Sequence, residues 1–366
     1  MLHDYKPGNM KKISFCLFLV LLTICSCKKT QDGVPQEHLS EDILSSAKIL
    51  KTDTVMNVAD FFPAAKCFYH YNDSIIMVFN RGSEQDGFLK FFNVNQKKEV
   101  LSLFLKGNGP EELLLPAIEM GSDNLLVRDV QVDKLFSVNV DSLLEDSLYT
   151  FPMIKNQNFR ISNLCLFNER IVAVNPFTFI DEKQHVEQDC GQKIVTIDDL
   201  EDLYTQNHKY NTINVASSGE LLANNDLKKL VFACSGQSFI ELYDDELNVI
   251  KRIYGPKDLD VRYHISDEGE VVYKGKIPYT YLASCKNDTY FYLYYMGDFW
   301  NMDTTTMDEH KGYILKFDWD GNFVDSYLID RYVYALSCDK KFKGSEVLYV
   351  SVNDEDGLPA LLKLYE

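Results

Sequence analysis

The first stretch that could do chemistry is KGNGPEELLLP at residues 106–116, which has the glycines and the lysine of a phosphate-binding loop. A phosphate loop needs a helix after its glycines, with Lys and then Ser or Thr where that helix begins. Here a proline and two glutamates follow instead, and two carboxylates would repel a phosphate group. We therefore predict that Gly107 and Gly109 form a turn, in backbone conformations that other residues avoid.

A second stretch, DWDGN at residues 318–322, opens like a calcium-binding loop. The twelfth position is Ile329, where such loops carry a bidentate Glu, so we predict a hairpin turn with Gly321 at its strained position. The seven histidines are scattered, and motifs such as H-E-x-x-H and G-x-S-x-G are absent from the sequence. We predict no catalytic residue, no metal ligand and no cofactor; calcium stays open as an alternative that no motif supports.

The N-terminal sequence MKKISFCLFLVLLTICSCKK, from Met10, has a cationic start, a mainly apolar run of 13 residues and a small residue before Cys27. These are the parts of a secretory signal, and the apolar run is shorter than the ~20 residues of a membrane span. Its ending, ICSC, resembles a bacterial lipobox with Cys27 as the lipidated residue; an ordinary signal peptide cut nearby is the alternative. We predict a signal peptide over residues 1–26, a lipid-anchored tether over 27–41 and the folded domain over 42–366.

Composition limits the partners. The chain has 366 residues, 46% of them apolar, which is ample for a large core. Its formal net charge of −18 disfavours contact with nucleic acid and with anionic membrane surfaces. We therefore predict no nucleic-acid partner, and contact with a membrane only through the lipid anchor.

The remaining chain consists of short apolar or alternating runs separated by Asn, Asp and Gly, the pattern of an all-β fold. One series is a polar turn followed by an apolar run, as in NDSIIMVF and NDTYFYLYY. A second series, such as LKFFNV and YILKF, interleaves with it and mostly leads into hairpins. The apolar runs of the first series start near residues 75, 124, 171, 230, 290 and 347. Six members in each series predict six blades of four strands.

The last blade has only three predicted strands of its own, near residues 333–337, 347–352 and 360–366. Residues 47–58, AKILKTDTVMNV, would supply its outer strand from the N-terminus and so remove the open edge of the ring. An open sandwich also contains many short strands, but it would not produce two matching six-fold series. We predict an all-β, six-bladed β-propeller closed by an N-terminal strand.

The turn after the first blade is similar to a G-x-G-P-x-E motif, and through it the chain resembles the TolB-like six-bladed β-propeller lipoproteins of Bacteroidetes. The matching residues are Gly107, Gly109, Pro110 and Glu111, with Glu112 next. The resemblance covers the signal sequence and essentially the whole mature chain. It implies a propeller fold and a lipid-anchored location in the cell envelope, at the outer membrane, and it implies little chemistry. Which side of that membrane the protein faces stays open.

Four cysteines, Cys67, Cys165, Cys285 and Cys338, each end the first predicted strand of a blade. A small apolar residue suits the crowded axis, so we predict buried thiols there. Disulfides are the alternative in an oxidising envelope, but equivalent positions of different blades point the same way around a ring and seldom meet. Cys190 lies in a long loop and is the predicted reactive thiol.

Loop lengths predict which face binds a partner. Because strands in a blade are antiparallel, the connections from the second to the third strand and from the fourth strand to the next blade emerge on one face. The long loops 175–192, 257–276 and 297–311 all emerge on this face. Propellers commonly bind partners over the axis on their elaborated face. The aromatic run over residues 290–295 is predicted to be core. For Asp298, Phe299 and Trp300 the sequence does not decide between core and binding surface. The candidates on this face, by position only, are Asp181, His185, Arg262, Tyr263, His264, Asp298, Trp300 and His310.

These features favour a non-catalytic binding module whose ligand is an envelope protein, a glycan or a peptide. The alternative is a metal-dependent enzyme of the lactonase or hydrolase kind, with Asp, Glu and Asn from several blades gathered at the mouth of the axis. A structural accessory of an outer-membrane complex is a third possibility.

Overall fold

A computed structural model describes residues 33–57, 62, 67–80, 87–132, 134–146, 149–150, 152–153, 163–175, 177–181, 186–188, 194–199, 211–212, 218–266, 271–299 and 311–366. The described chain is nearly all β, and its strands form a ring of six blades. The predicted all-β, six-bladed propeller is therefore confirmed. Among the described residues, no helix is long and apolar enough to cross a membrane.

The elements follow the chain from an N-terminal segment into six successive blades. The N-terminal segment contains β1 (Gln36–His38), α1 (Asp42–Ser45) and β2 (Lys51–Asn57). Blade I contains β3 (Cys67–Asn72), β4 (Ile75–Phe79), β5 (Leu89–Asn93) and β6 (Lys98–Leu103); blade II contains β7 (Pro116–Glu119), β8 (Leu125–Asp129), β9 (Leu135–Val138) and then α2 (Val140–Glu145). Blade III contains β10 (Leu164–Phe167), β11 (Arg170–Val174) and β14 (Ile194–Thr196), with β12 (Phe177–Asp181), β13 (Val186–Gln188) and β15 (Asn211–Thr212) in a small sheet beside it.

The second half of the ring has longer strands. Blade IV contains β16 (Gly219–Asn224), β17 (Lys229–Cys234), β18 (Phe239–Tyr243) and β19 (Val249–Tyr254), and a hairpin of β20 (Tyr263–Ile265) and β21 (Val271–Tyr273) follows it. Blade V contains β22 (Pro278–Lys286), β23 (Tyr290–Phe299), β24 (Gly312–Asp318) and β25 (Phe323–Ile329); blade VI contains β26 (Ala335–Cys338), β27 (Val347–Asn353) and β28 (Pro359–Tyr365).

In each blade the first strand lies nearest the axis, where the first strands of neighbouring blades contact one another. Because the strands are antiparallel, the turns after the first and third strands emerge on one face of the ring. We call this the short-turn face. The opposite face, with the second and fourth connections, is the long-loop face.

The core of the described residues consists of six apolar clusters, and each lies between two neighbouring blades. The alternation along middle strands explains this arrangement, because successive side chains point to opposite faces of a sheet. In β23, Tyr292 and Tyr294 join the cluster between blades V and VI, whereas Phe291, Leu293 and Tyr295 join the cluster between blades IV and V. The prediction that this aromatic run is core is confirmed.

Blade VI is closed by β2, which pairs antiparallel with β28 as the fourth strand. The sequence predicted this strand within residues 47–58, and it is confirmed as Lys51–Asn57. The ring therefore begins and ends in one blade, and the pairing of β2 covers an edge that β28 would otherwise expose.

The chain before β2 runs along the outside of the ring. β1 pairs in parallel with β19, the outer strand of blade IV, and Lys48 then forms a parallel bridge with Tyr327 on the outer strand of blade V. Leu39 and Leu44 are buried in the cluster between these two blades. The tether that the sequence placed over residues 27–41 therefore ends earlier, because the chain is paired with the ring from Pro35, whose carbonyl accepts from Arg252 N at 2.9 Å.

Candidate functional site

A basin with a volume of about 310 Å³ opens at the ring axis on the short-turn face. It forms where the first strands of blades I, II, IV, V and VI pass into their first turns, so five blades contribute to its wall. A volume of this size is at the lower end of pockets that hold small organic ligands. We call it the axial basin. Its lining includes Met77, Met120, Asp123, Leu125, Lys286 and Leu336.

One ion pair spans the basin. Lys286, the last residue of β22 in blade V, places its Nζ 2.7 Å from Oδ1 of Asp123, in the first turn of blade II. Blades II and V lie opposite each other in a ring of six, so this bond crosses the axis. The Lys286 side chain is 14% exposed and that of Asp123 is 65% exposed. The ammonium is thus fixed in the wall, whereas the carboxylate reaches it from the water side.

The wall beside this ion pair is apolar. Met77 and Leu125 are buried between blades I and II, and Leu336 is buried in the first strand of blade VI. Met120 is 36% exposed at the end of the first strand of blade II. Methionine side chains adapt to irregular shapes, so this surface suits hydrocarbon groups of varied outline.

Two more lysines lie at the rim. Lys340 Nζ is 3.0 Å from Oδ2 of Asp141, and the other oxygen of that carboxylate accepts from the Tyr71 hydroxyl. Burial raises the pKa of Tyr71, and this hydrogen bond acts in the same direction; the bond also lowers the pKa of Asp141. Lys341 is exposed and has no ion-pair partner in the described part of the chain.

His70, in β3, forms an uncharged aromatic part of the wall. Its ring stacks on Tyr349 with 3.6 Å between centroids and 3° between planes. Burial lowers the pKa of this imidazole from its usual value, although Asp339 Oδ1 lies 3.7 Å from Nδ1. Nδ1 itself is buried and has no hydrogen-bond partner among the described residues. The imidazole is therefore neutral at pH 7 and adds flat surface rather than charge.

A close backbone contact joins two blades that are not neighbours. The Gly121 carbonyl, directly after the first strand of blade II, accepts from Ala223 N in blade IV at 2.7 Å. A Cβ on Gly121 would lie 1.6 Å from the Leu221 carbonyl oxygen, so only glycine fits there. This contact fixes the turn that carries Met120 and Asp123, and it thereby positions one side of the axial basin.

Two partly buried carboxylates, which we call the channel carboxylates, lie on the first strands of blades II and IV. Glu119 Oε1 accepts from Arg128 Nε at 3.2 Å, and Glu220 Oε2 accepts from Ser284 Oγ at 2.6 Å. Burial, with repulsion from Glu220, raises the pKa of Glu119 to about 7 despite Arg128, and burial also raises the pKa of Glu220. The pair can hold a proton near neutral pH. Among the described residues, no group of three or more His, Cys, Asp or Glu could hold a metal ion.

The axial cysteines are thiols in the structure. Burial raises the pKa of Cys165 to about 12, and burial and contact with Cys338 raise that of Cys285 well above its usual value. Thiols with raised pKa values are poor nucleophiles. All four are free, as predicted, although Cys67 and Cys338 are half-buried rather than buried. Cys285 and Cys338, on neighbouring first strands, lie close enough to interact. Cys190 lies outside the described residues.

The residues predicted by position on the long-loop face are spread over several elements. Arg262 precedes the β20–β21 hairpin, Tyr263 and His264 lie within it, and Asp298 is exposed near the end of β23. Lys257 Nζ donates to the Gly297 carbonyl at 2.8 Å, which ties the loop before the hairpin to the end of β23. Asp181 ends β12. His185, Trp300 and His310 lie outside the described residues, as does Cys27, so the binding role of this face stays a prediction.

The glycine turn joins blades I and II and binds its own carboxylate. Glu112 Oε2 accepts from Gly109 N at 2.7 Å, and a Cβ on Gly107 or Gly109 would collide with the Glu112 side chain. The prediction of a turn is confirmed, but the unusual backbone conformation predicted for both glycines is found at Gly107 and not at Gly109, whose φ is not positive. The acidic residue that holds it is Glu112, whereas Glu111, which the sequence assigned to the motif, is exposed.

Sequence reasoning missed Lys286, Asp123 and the channel carboxylates. The signal for them was positional: each lies in the first strand of a blade or in the turn directly after it, and first strands line the axis. Asp123 is in the SDNLLV repeat and Lys286 directly precedes the NDTYFYLYY repeat, so the repeat alignment placed both at the axis without naming their partners.

Comparison with known proteins agrees with this architecture. The family model described as TolB-like 6-blade propeller-like matches residues 48–341. A member of the DUF4221 family from Bacteroides vulgatus has 12% identity and a TM-score of 0.50, with 87% of this chain and 97% of that chain covered. An exported-protein candidate from Bacteroides fragilis has 9% identity and a TM-score of 0.46, with 90% of this chain and 98% of that chain covered. No curated protein matches the sequence.

Proposed function

The chain belongs to the TolB-like six-bladed propeller family, and we propose that it is a lipid-anchored envelope protein that binds a ligand in its axial basin without catalysing a reaction. The observation that carries this proposal is the Lys286–Asp123 ion pair inside an apolar basin. The apolar clusters between blades form most of the core of the ring, and a largely buried ammonium costs free energy, so Lys286 points to a role beyond packing.

The chemistry of the site favours binding over catalysis. The thiols of Cys165 and Cys285 are buried with raised pKa values, so they are not poised as nucleophiles. The carboxylates beneath the basin are each engaged by a neighbour, Glu119 by Arg128 and Glu220 by Ser284. Fixed, partnered groups around an open basin suit the selection of a ligand.

The path of the N-terminal segment supports an anchor on the same side as the basin. β19 starts from a turn on the short-turn face, and β1 runs parallel to it, so the chain before Pro35 comes from that face. From Cys27 to Pro35, an extended chain reaches about 30 Å at most. An acyl group on Cys27 would therefore hold blade IV close to the membrane, with the axial basin open towards it.

Binding is tested by thermal melts of residues 28–366 with a small-molecule extract of the envelope. All described core residues lie between Leu39 and Leu364, so this chain keeps the whole ring. A ligand at about a hundred times its Kd adds about 2.7 kcal/mol, or several degrees. Met120→Trp, which fills the basin, should abolish the shift, and Val272→Trp on the long-loop face should not. The opposite pattern would place the site on the long-loop face.

The anchor is tested separately by growing cells with an alkyne-labelled fatty acid. The wild-type chain should incorporate the label, and Cys27→Ala should not. Labelling that survives Cys27→Ala would contradict the lipid-anchor proposal without touching the basin.

A further inference from the structure

The two partners of the cross-axis ion pair are held very differently. Lys286 ends a nine-residue strand that pairs along its length with β23, and its side chain is 14% exposed. Asp123 lies in a turn with its side chain 65% exposed. An ion pair with one water-exposed partner contributes about 0–1 kcal/mol, so Asp123 leaves Lys286 at little cost. Once it leaves, the Lys286 ammonium is free to bind another anion in the basin.

The space around Lys286 is suited to an anion that carries hydrocarbon. Met120, Leu125 and Leu336 supply an apolar surface in the same basin. Buried apolar area contributes about 25 cal/mol per Å², so an apolar group attached to the anion adds affinity that a bare inorganic anion lacks.

Local charge favours entry of an anion although the chain as a whole is acidic. The formal net charge is −18, but charges farther than about 8–10 Å are largely screened at physiological salt. Within the basin, Lys340 and Lys341 stand at the rim beside Lys286, and only Asp123, Asp226 and Asp288 carry negative charge in the lining. With Asp123 turned out to water, Lys286 and Lys341 have no ion-pair partner among the described residues, whereas Lys340 stays paired with Asp141.

We propose that the axial basin binds a small anionic amphiphile, whose carboxylate, sulfonate or phosphate group replaces Asp123 on Lys286 while its apolar part lies against Met120, Leu125 and Leu336. Asp123 thus acts as a built-in competitor for the ligand anion. This inference rests on the proposed function, because it names the ligand class of the same basin.

The experiment compares two fluorescent probes that share one ring system, anilinonaphthalene sulfonate and its neutral counterpart phenylnaphthylamine, titrated into residues 28–366. Lys286→Met should weaken binding of the sulfonate at least tenfold and leave the neutral probe within twofold. Asp123→Asn should tighten binding of the sulfonate several-fold, again without effect on the neutral probe. Lys228→Met, which removes an exposed lysine of the same face outside the basin lining, is the matched control and should change neither affinity.

Asp123→Asn keeps the test valid if Lys286→Met unfolds, because Asp123 is exposed and its replacement leaves the core intact. Equal weakening of both probes by Lys286→Met, or weaker sulfonate binding by Asp123→Asn, would overturn the anion assignment while basin binding survives. Failure of both probes to bind the wild-type chain, or binding that Met120→Trp leaves unchanged, would overturn the basin as the ligand site as well.

Discussion

The blade interfaces and the ring axis differ in the side chains that build them. Each interface is mainly a cluster of apolar residues, and many of them are fully buried, such as Phe291 and Leu293 between blades IV and V. The buried ion pair Lys316–Glu346, between blades V and VI, is the exception among the described residues. At the axis, single charged residues from distant blades meet, as Lys286 meets Asp123. Apolar packing suffices to close the ring, and buried charge opposes folding unless it is paired. The interfaces thus contain most of the apolar packing of the ring, and the charged groups at the axis agree with the proposal that the axial basin binds a ligand.

The largest expected effect is at an interface. Phe291→Ala should lower the free energy of unfolding by about 3–5 kcal/mol, because it removes a fully buried ring that stacks on Phe317 at 5.2 Å. Chemical denaturation measures this change. The control is Phe299→Ala, at the exposed end of the same strand, which should cost less than about 1 kcal/mol. Equal losses would mean that the interfaces do not carry the stability of the ring.

The second-largest expected effect is a loss of stability at the axis, where the backbones of blades II and IV are in close contact. Gly121→Ala should cost about 3 kcal/mol, since its Cβ would lie 1.6 Å from the Leu221 carbonyl oxygen and the backbone must shift. Gly344→Ala is the matched control, with a φ of +83° but open space around it, and should cost about 1 kcal/mol. If the two variants unfolded at the same denaturant concentration, the contact between blades II and IV would not be as close as described.

The same contrast between interfaces and axis explains which features of the fold and of the site could be predicted from the sequence. The interfaces repeat in every blade, so the apolar runs predicted the number of blades. The last blade had only three predicted strands, and this predicted that an N-terminal strand closes it. The axial groups do not repeat. Lys286 and Asp123 are 163 residues apart and meet only because blades II and V lie opposite each other. The short β1 was missed because three residues carry too little alternation, and its stability comes from pairing with β19.

A smaller effect concerns the channel carboxylates and pH. A carboxyl whose pKa is raised in the folded state stabilises the protein below its unfolded pKa, and this stabilisation is lost as pH rises through the folded value. For Glu119 the window runs from 4.5 to about 7. Relative to Glu119→Gln, the wild-type chain should therefore lose about 3 kcal/mol of stability between pH 4.5 and pH 8.

Denaturation curves of the wild-type chain and of Glu119→Gln across this pH range measure the difference in their stability. Groups that titrate in both chains, such as His70, contribute equally and cancel in this difference. Glu111→Gln, at an exposed carboxyl on the glycine turn, is the matched control for the loss of one carboxylate. A wild-type chain that gains stability relative to Glu119→Gln as pH rises would reverse the assigned direction and show that Arg128 outweighs burial.

The smallest effect is at the ion pair itself. Asp123→Asn should change the free energy of unfolding by less than about 0.5 kcal/mol, because the carboxylate is mostly exposed and the pair is weak. Denaturation in parallel with the probe titrations separates the two roles, since the same substitution should change the affinity for the anionic probe several-fold. A loss of several kcal/mol would make the ion pair a structural bond and remove the reason to assign it to binding.

The measurement that tests the central claim most directly is hydrogen–deuterium exchange of residues 28–366 with and without saturating anilinonaphthalene sulfonate. If the ligand site is the axial basin, protection should appear in peptides from the first turns of blades II, V and VI, around residues 120–125, 284–289 and 336–341. Protection confined to the loops of the long-loop face, such as residues 257–266 and 296–299, would contradict the account.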